Sequence, residues 1–243
     1  MTSLSLPKVI GHRGTPKRAP ENTVAGFTLA AKAGVTWVEL DVQLSSDLVP
    51  VVFHDDHLER TSTGTGFLVE RDYAYLKTLD VGSWFSPEFS DEALPHWDKV
   101  LDALIENRLG VNIEIKAEDP RGAATAEIGL KHALAKWPGD LPAPLVTSFS
   151  RVAIETAAKV APSWPRGLVS HPWPEDWRDY CAQAGCASLH VMHTNLTPER
   201  VMEAKETGLA VLAYTVNDLE TARKLWDWGV DSVFSDRPEA LLG

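Results

Sequence analysis

The sequence predicts an α/β protein of the (β/α)8 barrel class, also called a TIM barrel. Short apolar runs alternate along the 243 residues with helical segments of about a dozen residues, and this alternation is typical of parallel strands joined by helices. Eight such runs can be counted, and eight βα repeats in a chain of this length fit a closed barrel. We expect residues 1–243 to form one domain, with its active site at the carboxyl ends of the strands.

Residues typical of helix starts and helix ends recur at the boundaries of the predicted elements. Asn22 is a candidate N-cap for the first helix, and Gly34 can end that helix in a left-handed conformation. Further glycines precede later strands, and Pro198 after Thr197 marks a helix start. The predicted strands are residues 9–10, 37–42, 111–116, 145–149, 166–169, 188–191, 211–214 and 232–234.

A ninth apolar run, residues 49–53, follows the second strand too closely for a helical crossover. We expect it to fold back as a hairpin through residues 45–48, which would return His54 to the neighbourhood of Glu39. The following residues, 55–96, interrupt the repeat, and we interpret them as a small insertion over the barrel mouth. Trp84 within it either helps to close the pocket or packs in a small core of the insertion.

Charge and composition narrow the classes of partner. With 44% hydrophobic residues the chain can bury a full core, and its net charge of −11 argues against nucleic acid or an anionic membrane surface as the main partner. No membrane span or secretory signal is visible, so we expect a cytoplasmic protein. The two cysteines, Cys181 and Cys186, are too few for a disulfide framework or a structural zinc site, and we expect them to pack.

Acidic residues alternate with apolar ones on two predicted strands. Glu39 and Asp41 are two residues apart and share one face, and Glu114 and Lys116 repeat the pattern. In a barrel these polar faces point inward, where three converging carboxylates repel one another unless a cation neutralises them. Oxygen ligands suit Mg²⁺ or Ca²⁺. The alternative is a network of ion pairs with Arg13 and Lys116 that needs no metal.

Two histidines stand at strand ends. His12 and Arg13 lie between two glycines after the first strand, and His54 follows the hairpin strand. A lone histidine there is commonly structural, but two that converge on carboxylates can divide the acid and base roles. His190 and His193 could line the pocket, although we favour packing for them. The remaining histidines are interpreted as surface or packing residues: His57, His96, His132 and His171.

Taken together, these motifs resemble those of the glycerophosphodiester phosphodiesterase family. The resemblance runs from about Val9 to Pro238 and is closest to the short bacterial cytoplasmic branch, the UgpQ type. The specific motifs are Gly-His-Arg-Gly (11–14), Ala-Pro-Glu-Asn-Thr (19–23), Glu-Leu-Asp-Val (39–42), Val-Val-Phe-His-Asp-Asp (51–56), Leu-Glu-Arg-Thr (58–61) and Asn-Ile-Glu-Ile-Lys (112–116). Weaker ones are Thr-Ser-Phe (147–149), Tyr-Thr-Val-Asn (214–217) and Ser-Asp-Arg-Pro (235–238).

The resemblance implies a (β/α)8 barrel that hydrolyses small-molecule glycerophosphodiesters to sn-glycerol 3-phosphate and an alcohol, with one divalent cation, Mg²⁺ or Ca²⁺. Glu21 matches a motif residue near the site. The sequence departs from the family at Leu48, where glycine is usual, and since leucine resists positive φ we expect a different turn there. Carried across by position, the site residues are the metal ligands Glu39, Asp41 and Glu114, the acid/base pair His12 and His54, and the phosphate contacts Arg13 and Lys116.

Two histidines flanking one phosphorus suit attack by the neighbouring glycerol hydroxyl, which gives a cyclic phosphate that water then opens. We expect His12 to be the base and His54 the acid, although the roles could be exchanged, and direct attack by water is the alternative route. Other functions on the same barrel are a lysophospholipase D, a phosphoinositide-cleaving phospholipase C, or a catalytically silent metabolite-binding barrel. The sequence does not predict the oligomeric state.

Overall fold

The computed structural model describes residues 4–116 and 121–242 and shows a sheet that closes on itself. Eight strands pair in parallel around the ring, and β1 pairs with both β2 and β9, which confirms the predicted (β/α)8 barrel. The strands in the described part of the chain are β1 Val9–Gly11, β2 Trp37–Leu44, β3 Pro50–Val52, β4 Gly110–Ile115, β5 Leu145–Ser148, β6 Arg166–Ser170, β7 Ser188–Met192, β8 Ala210–Tyr214 and β9 Ser232–Ser235.

Helices surround the barrel. Each directly follows a barrel strand except α2, which lies in the insertion, and α3, which comes after the hairpin and the insertion. In α3, buried Trp97, Val100, Leu101 and Leu104 recur at helical spacing, so one stripe of the helix faces the barrel. No helix of the described ranges has the length and apolar character needed to cross a membrane. The helices are α1 Val24–Lys32, α2 Tyr73–Leu76, α3 Trp97–Glu106, α4 Arg121–Lys136, α5 Arg151–Val160, α6 Trp177–Ala184, α7 Pro198–Glu206, α8 Leu219–Asp227 and α9 Pro238–Leu241.

The start of α1 corrects one expectation. Thr23, not Asn22, is the N-cap: its hydroxyl accepts a hydrogen bond from the backbone N–H of Gly26 at 3.0 Å and donates one to the carbonyl of Pro20. Asn22 instead has a positive φ of 57° and turns its side chain into the barrel. Gly34 follows the helix end with a φ of 87°, as predicted.

The barrel interior has an apolar floor beneath a polar upper layer. Trp37, Glu39 and Asp41 alternate along the inward face of β2, so an aromatic ring lies toward the amino end and the carboxylates toward the carboxyl end. Gly110 on the neighbouring strand makes room for the ring, because a Cβ atom there would lie 2.3 Å from a Trp37 ring carbon. The floor cluster consists of Ile10, Trp37, Leu145, Leu212 and Phe234.

The hairpin is confirmed, and its turn places Leu48 in an unexpected conformation. β2 and β3 pair antiparallel, with Val42 opposite Val52. Leu48 adopts the left-handed region with a φ of 63°, which leucine was expected to resist. Its N–H donates to the carbonyl of Ser45, and the Ser45 hydroxyl accepts from the N–H of Val49, which together hold the turn. The leucine therefore tolerates a conformation that costs about 1–2 kcal/mol.

The predicted insertion between β3 and α3 is present. Besides α2 it contains two short 3-10 turns, Leu68–Glu70 and Pro87–Phe89. Trp84 is 42% exposed, donates its ring N–H to the carbonyl of Val81 and meets Phe85 edge-on, so it packs within the insertion rather than on the cavity. The insertion shares an apolar cluster with the hairpin strand, formed by Val51, Phe53, Leu58, Leu68, Leu76, Leu79, Val81 and Leu94.

Candidate active site

A cavity of about 290 Å³ opens at the carboxyl ends of the barrel strands. This position is the one that the closed barrel predicts for an active site. All seven residues singled out from the sequence line the cavity: His12, Arg13, Glu39, Asp41, His54, Glu114 and Lys116. The barrel thus brings together residues from β2, β4 and the segments that follow β1, β3 and β4.

Three carboxylates meet on adjacent strands. Glu39 and Asp41 lie on β2, and Asp41 is in register with Glu114 on β4. One oxygen from each carboxylate lies within 4.8 Å of the others, and Glu39 and Asp41 are almost fully buried. Within the described ranges this is the one acidic, histidine or cysteine group close enough to hold a metal ion.

The charges of this triad are not balanced by the protein. Burial, followed by repulsion from Asp41 and Glu114, raises the pKa of Glu39 well above its usual range. Burial and repulsion from Asp41 likewise raise the pKa of Glu114 to about 7. For Asp41 burial also favours the protonated form, but the charge of Arg13 leads the opposing attractions, and the Asp41 pKa is lowered. Such a set of crowded oxygen donors fits Mg²⁺ or Ca²⁺, which would replace the protons.

Arg13 and Lys116 contact the triad but leave it under-neutralised. The backbone N–H of Arg13 donates to Glu39 at 2.9 Å, and its Nε lies 3.5 Å from an Asp41 oxygen. That Nε is buried and has no hydrogen-bond partner among the described residues. Lys116 Nζ lies 3.4 Å from Glu114. Ion pairs therefore exist, as the alternative hypothesis expected, yet burial and, after it, repulsion between the carboxylates still raise the pKa values of Glu39 and Glu114.

Both histidines are held by carboxylates through Nδ1. His12 Nδ1 lies 2.7 Å from Asp236, which Asn217 fixes in turn by accepting from the Asp236 N–H and donating to its carboxylate. His54 Nδ1 lies 2.5 Å from Asp55. In each case Nε2 is the nitrogen left for other partners. Sequence reasoning assigned no role to either aspartate, although Asp55 adjoins His54 and Asp236 follows the strand that closes the barrel against β1.

The Nε2 atoms of the two histidines differ in surroundings. Lys116 Nζ lies 3.2 Å from His54 Nε2. An ammonium group is only a donor, so this contact favours a neutral ring with Nε2 of His54 as the acceptor. Burial, opposed in part by the charge of Asp41, lowers the pKa of His54 and favours the same neutral form.

Two asparagines also reach the acidic triad or its neighbours. Asn22 donates from its amide to Asp41 at 2.8 Å and accepts from the Asp41 backbone N–H at 3.3 Å. Asn112 lies in register with Glu39 and donates to Thr147 at 2.9 Å. Both belong to motifs quoted above, but neither was assigned to the site from the sequence.

The opposite wall of the cavity is mostly apolar and aromatic. Phe149 and Tyr214 meet edge-on, and the Tyr214 hydroxyl donates to the carbonyl of Ser170. His190 lies deep in this wall, 2.9 Å from the Ser188 hydroxyl, and burial lowers its pKa to about 3. His190 therefore packs as a neutral residue while lining the cavity. The other five histidines do not line it, as the packing interpretation expected: His57, His96, His132, His171 and His193.

Comparisons with known proteins agree on one family. The model of the glycerophosphoryl diester phosphodiesterase family matches residues 12–240. The chain is 31% identical over 96% of both chains to a putative glycerophosphodiester phosphodiesterase of Bacillus subtilis, and 32% identical, with the same coverage, to a glycerophosphodiester phosphodiesterase of Caldanaerobacter subterraneus. It superposes with a TM-score of 0.95 and 38% identity on an Oleispira antarctica phosphodiesterase in complex with the product sn-glycerol-3-phosphate, covering 98% of this chain and 96% of that one.

Proposed function

The chain belongs to the glycerophosphoryl diester phosphodiesterase family and is a glycerophosphodiester phosphodiesterase, and we propose that it uses one divalent cation and two histidines to release sn-glycerol 3-phosphate and an alcohol. The observation that carries this proposal is the meeting of three crowded carboxylates and two carboxylate-bound histidines in one cavity. The product bound to the Oleispira protein supports the assignment of sn-glycerol 3-phosphate.

The cation would be held by Glu39, Asp41 and Glu114, and we propose Mg²⁺ or Ca²⁺ because all the ligands are oxygens. When bound, a divalent cation stabilises negative charge that grows on phosphoryl oxygens. Arg13 and Lys116 line the same cavity and supply further positive charge there, and their N–H groups would donate to a phosphoryl oxygen. This local positive charge lets a chain of net charge −11 bind an anionic substrate.

We assign the base of the first step to His54 and the acid to His12, the reverse of the expectation from sequence. The unprotonated Nε2 of His54 takes the proton of the glycerol hydroxyl, whose oxygen forms a bond to phosphorus. His12, which Asp236 holds through Nδ1, gives a proton from Nε2 to the alcohol oxygen as that bond breaks. In the second step His12 takes a proton from water, which opens the cyclic phosphate, and His54 returns its proton to the glycerol oxygen.

The hydroxyl route is favoured by proximity. A hydroxyl held in line against phosphorus reacts as if it were present at very high concentration, whereas a water molecule must be captured and ordered first. The cavity is large enough for a glycerophosphoryl group beside the histidines, and its apolar wall leaves few polar groups to order a competing water.

One assay series tests the proposal. Purified enzyme is given glycerophosphocholine, the analogue that lacks the neighbouring hydroxyl, and lysophosphatidylcholine, each with and without a chelator of divalent cations. We expect turnover of glycerophosphocholine alone, and only without chelator. Activity that survives exhaustive chelation would refute the cation, equal turnover of the analogue would refute the cyclic route, and preference for the lysophospholipid would indicate a lysophospholipase D.

We also propose that the enzyme acts in the cytoplasm. The chain has only two cysteines, Cys181 and Cys186, which are too few for the disulfide framework typical of small proteins of oxidising compartments. Fractionation of cells that express the protein tests this location.

A further inference from the structure

Arg60, which lies in the insertion, contacts two carboxylates at once. Its Nη1 and Nη2 donate to the two oxygens of Glu21, each at 2.8 Å. Its Nε and Nη2 donate to the two oxygens of Asp55 at 2.5 and 2.8 Å. Every nitrogen of the guanidinium group is therefore engaged, and all four carboxylate oxygens accept from it. Lysine could not reproduce this arrangement, because an ammonium group lacks the planar fork.

Each of these carboxylates also holds a residue that lines the cavity. Glu21 accepts from Arg13 Nη1 at 2.8 Å, and Asp55 lies 2.5 Å from Nδ1 of His54. The result is a continuous path from Arg13 through Glu21, Arg60 and Asp55 to His54. Arg60 is the middle member of the path, because it contacts both Glu21 and Asp55.

We propose that Arg60 is a positioning residue for this reaction: it locks the phosphate contact Arg13 and the base His54 into one geometry by joining their carboxylate partners. The inference rests on the proposed function of Arg13 and His54. Arg60 is itself absent from the cavity lining and does not touch substrate. It also gives the insertion a role, because the insertion delivers this side chain to the barrel.

The charges of Glu21 and Asp55 explain why their shared contact with Arg60 matters. Oxygens of Glu21 and Asp55 share one nitrogen of Arg60, so the two anions lie close together and repel each other once that cation is removed. Glu21 is only 9% exposed and cannot turn freely to water. Without Arg60 the carboxylates must therefore move apart or take up a proton, and either change releases the His54 ring or the Arg13 guanidinium from its present position. Displacement of about 1 Å at a reacting group can cost roughly 10²-fold in rate.

The alternative hypothesis is that Arg60 has only a structural role, as a staple that fastens the insertion to the barrel. Arg71 is a matched control for it, since that arginine lies in the same insertion, stacks over Tyr75 and donates to the carbonyl of Thr65, but touches no member of the path. A staple predicts that activity is lost only as far as the protein unfolds. A positioning residue predicts loss of kcat in fully folded enzyme.

The experiment compares Arg60→Ala, Arg60→Lys and Arg71→Ala in the full-length enzyme, after wild-type turnover of glycerophosphocholine has been established. Well below the melting temperature we expect kcat to fall by roughly 10²-fold in Arg60→Ala, with a smaller change in KM, less in Arg60→Lys, and little in Arg71→Ala. Guanidinium ion, at concentrations far below those that unfold the protein, should restore part of the activity of Arg60→Ala. An Arg60→Ala enzyme as active as Arg71→Ala would overturn the proposal.

A second readout separates this inference from the proposed function. The imidazole ¹⁵N resonances of His54 report its hydrogen bond to Asp55 whether or not substrate is turned over, and they should shift in Arg60→Lys but not in Arg71→Ala. Unchanged His54 resonances would also overturn the proposal, even if the wild-type enzyme is fully active. If Arg60→Ala does not fold, Arg60→Lys and the double variant with Asp55→Asn replace it: losses in kcat that multiply independently would count against a shared path.

Discussion

His12 and His54 have the same kind of carboxylate partner at Nδ1, yet their Nε2 atoms meet different neighbours. Lys116 Nζ contacts Nε2 of His54, which favours an acceptor role for that nitrogen, whereas His12 is held through Nδ1 by Asp236 and its Nε2 is assigned the donor role. Both single variants, His12→Ala and His54→Ala, should lower kcat for glycerophosphocholine by roughly 10²-fold or more. The leaving group of a nitrophenyl ester departs without a proton, so the reaction of this substrate does not need the acid. With it, only the His12→Ala variant should regain activity.

Matched kinetic assays of both variants on both substrates check this prediction. His132→Ala is the control, because His132 pairs with Asp98 on the outside of the barrel and does not line the cavity. Recovery of His54→Ala in place of His12→Ala would restore the assignment made from the sequence, with His12 as the base.

Glu114 is the residue through which the proposed cation binding should depend on pH. Its pKa is raised to about 7 by burial and by repulsion from Asp41, so below that pH a cation must displace a proton from it. We expect the affinity for Mg²⁺ to fall as the pH drops from 8 to 6, a range chosen to bracket this pKa, by up to about tenfold per unit for each proton displaced. Glu114→Gln should lose most of the affinity, the activity and this pH dependence.

Isothermal titration of metal-free enzyme with Mg²⁺, in two buffers of different ionisation enthalpy, counts the protons released and checks this prediction. Asp98→Asn is the control, since Asp98 is a half-buried carboxylate that pairs with His132 outside the triad. Affinity that does not vary over this pH range, or binding without proton release, would contradict it.

The start of α1 separates a helix cap from a site contact on adjacent residues. Thr23 caps the helix through Gly26, whereas Asn22 contacts Asp41. Thr23→Ala should lower the free energy of unfolding by about 1 kcal/mol and leave kcat unchanged. Asn22→Gly, which preserves the positive φ of that residue, should instead lower Mg²⁺ affinity and kcat. Urea unfolding and kinetics on the two variants check the contrast, and a loss of activity in Thr23→Ala equal to that in Asn22→Gly would contradict it.

This element also shows where local sequence rules end. Asparagine and threonine are both good N-caps, so the local pattern cannot choose between Asn22 and Thr23. Asp41 on β2 decides between them, because its carboxylate accepts a hydrogen bond from the Asn22 side chain. Thr23, one residue later, is therefore the N-cap. The Leu48 turn is similar, since the bonds to Ser45 hold a backbone conformation that leucine alone disfavours.

At the scale of the whole barrel, the sequence predicted the features that follow from the alternation of residues along a strand or from the length of a connection. Alternation along β2 and β4 predicted that Glu39, Asp41 and Glu114 face inward together, and the short connection predicted the hairpin. Contacts that form only when the barrel closes, or when the insertion folds onto it, could not be predicted from these local patterns. Asp236 pairs with His12 across 224 residues of sequence, only because β9 meets β1, and Arg60 reaches Glu21 only because the insertion folds back on the barrel.

His190 links the stability of the whole barrel to pH. It is buried inside the barrel, where burial lowers its pKa to about 3, whereas a histidine in the unfolded chain has a pKa of about 6.5. Above about pH 6.5 both states are neutral and the residue makes no pH-dependent contribution. Below it the unfolded chain binds a proton that the folded barrel does not, so stability falls with decreasing pH, by about 1.4 kcal/mol per unit until the folded-state pKa is reached.

Between pH 6.5 and 5, wild-type enzyme should therefore lose about 2 kcal/mol of unfolding free energy through this residue alone. His190→Gln keeps a polar partner for Ser188 but does not titrate, so its stability should decline less steeply over the same range, even if it starts lower. Urea unfolding in the presence of chelator measures both slopes without linkage to cation binding, and acidic groups common to the two proteins cancel in the difference. Parallel slopes for the two proteins would show that His190 gains its proton without unfolding the barrel.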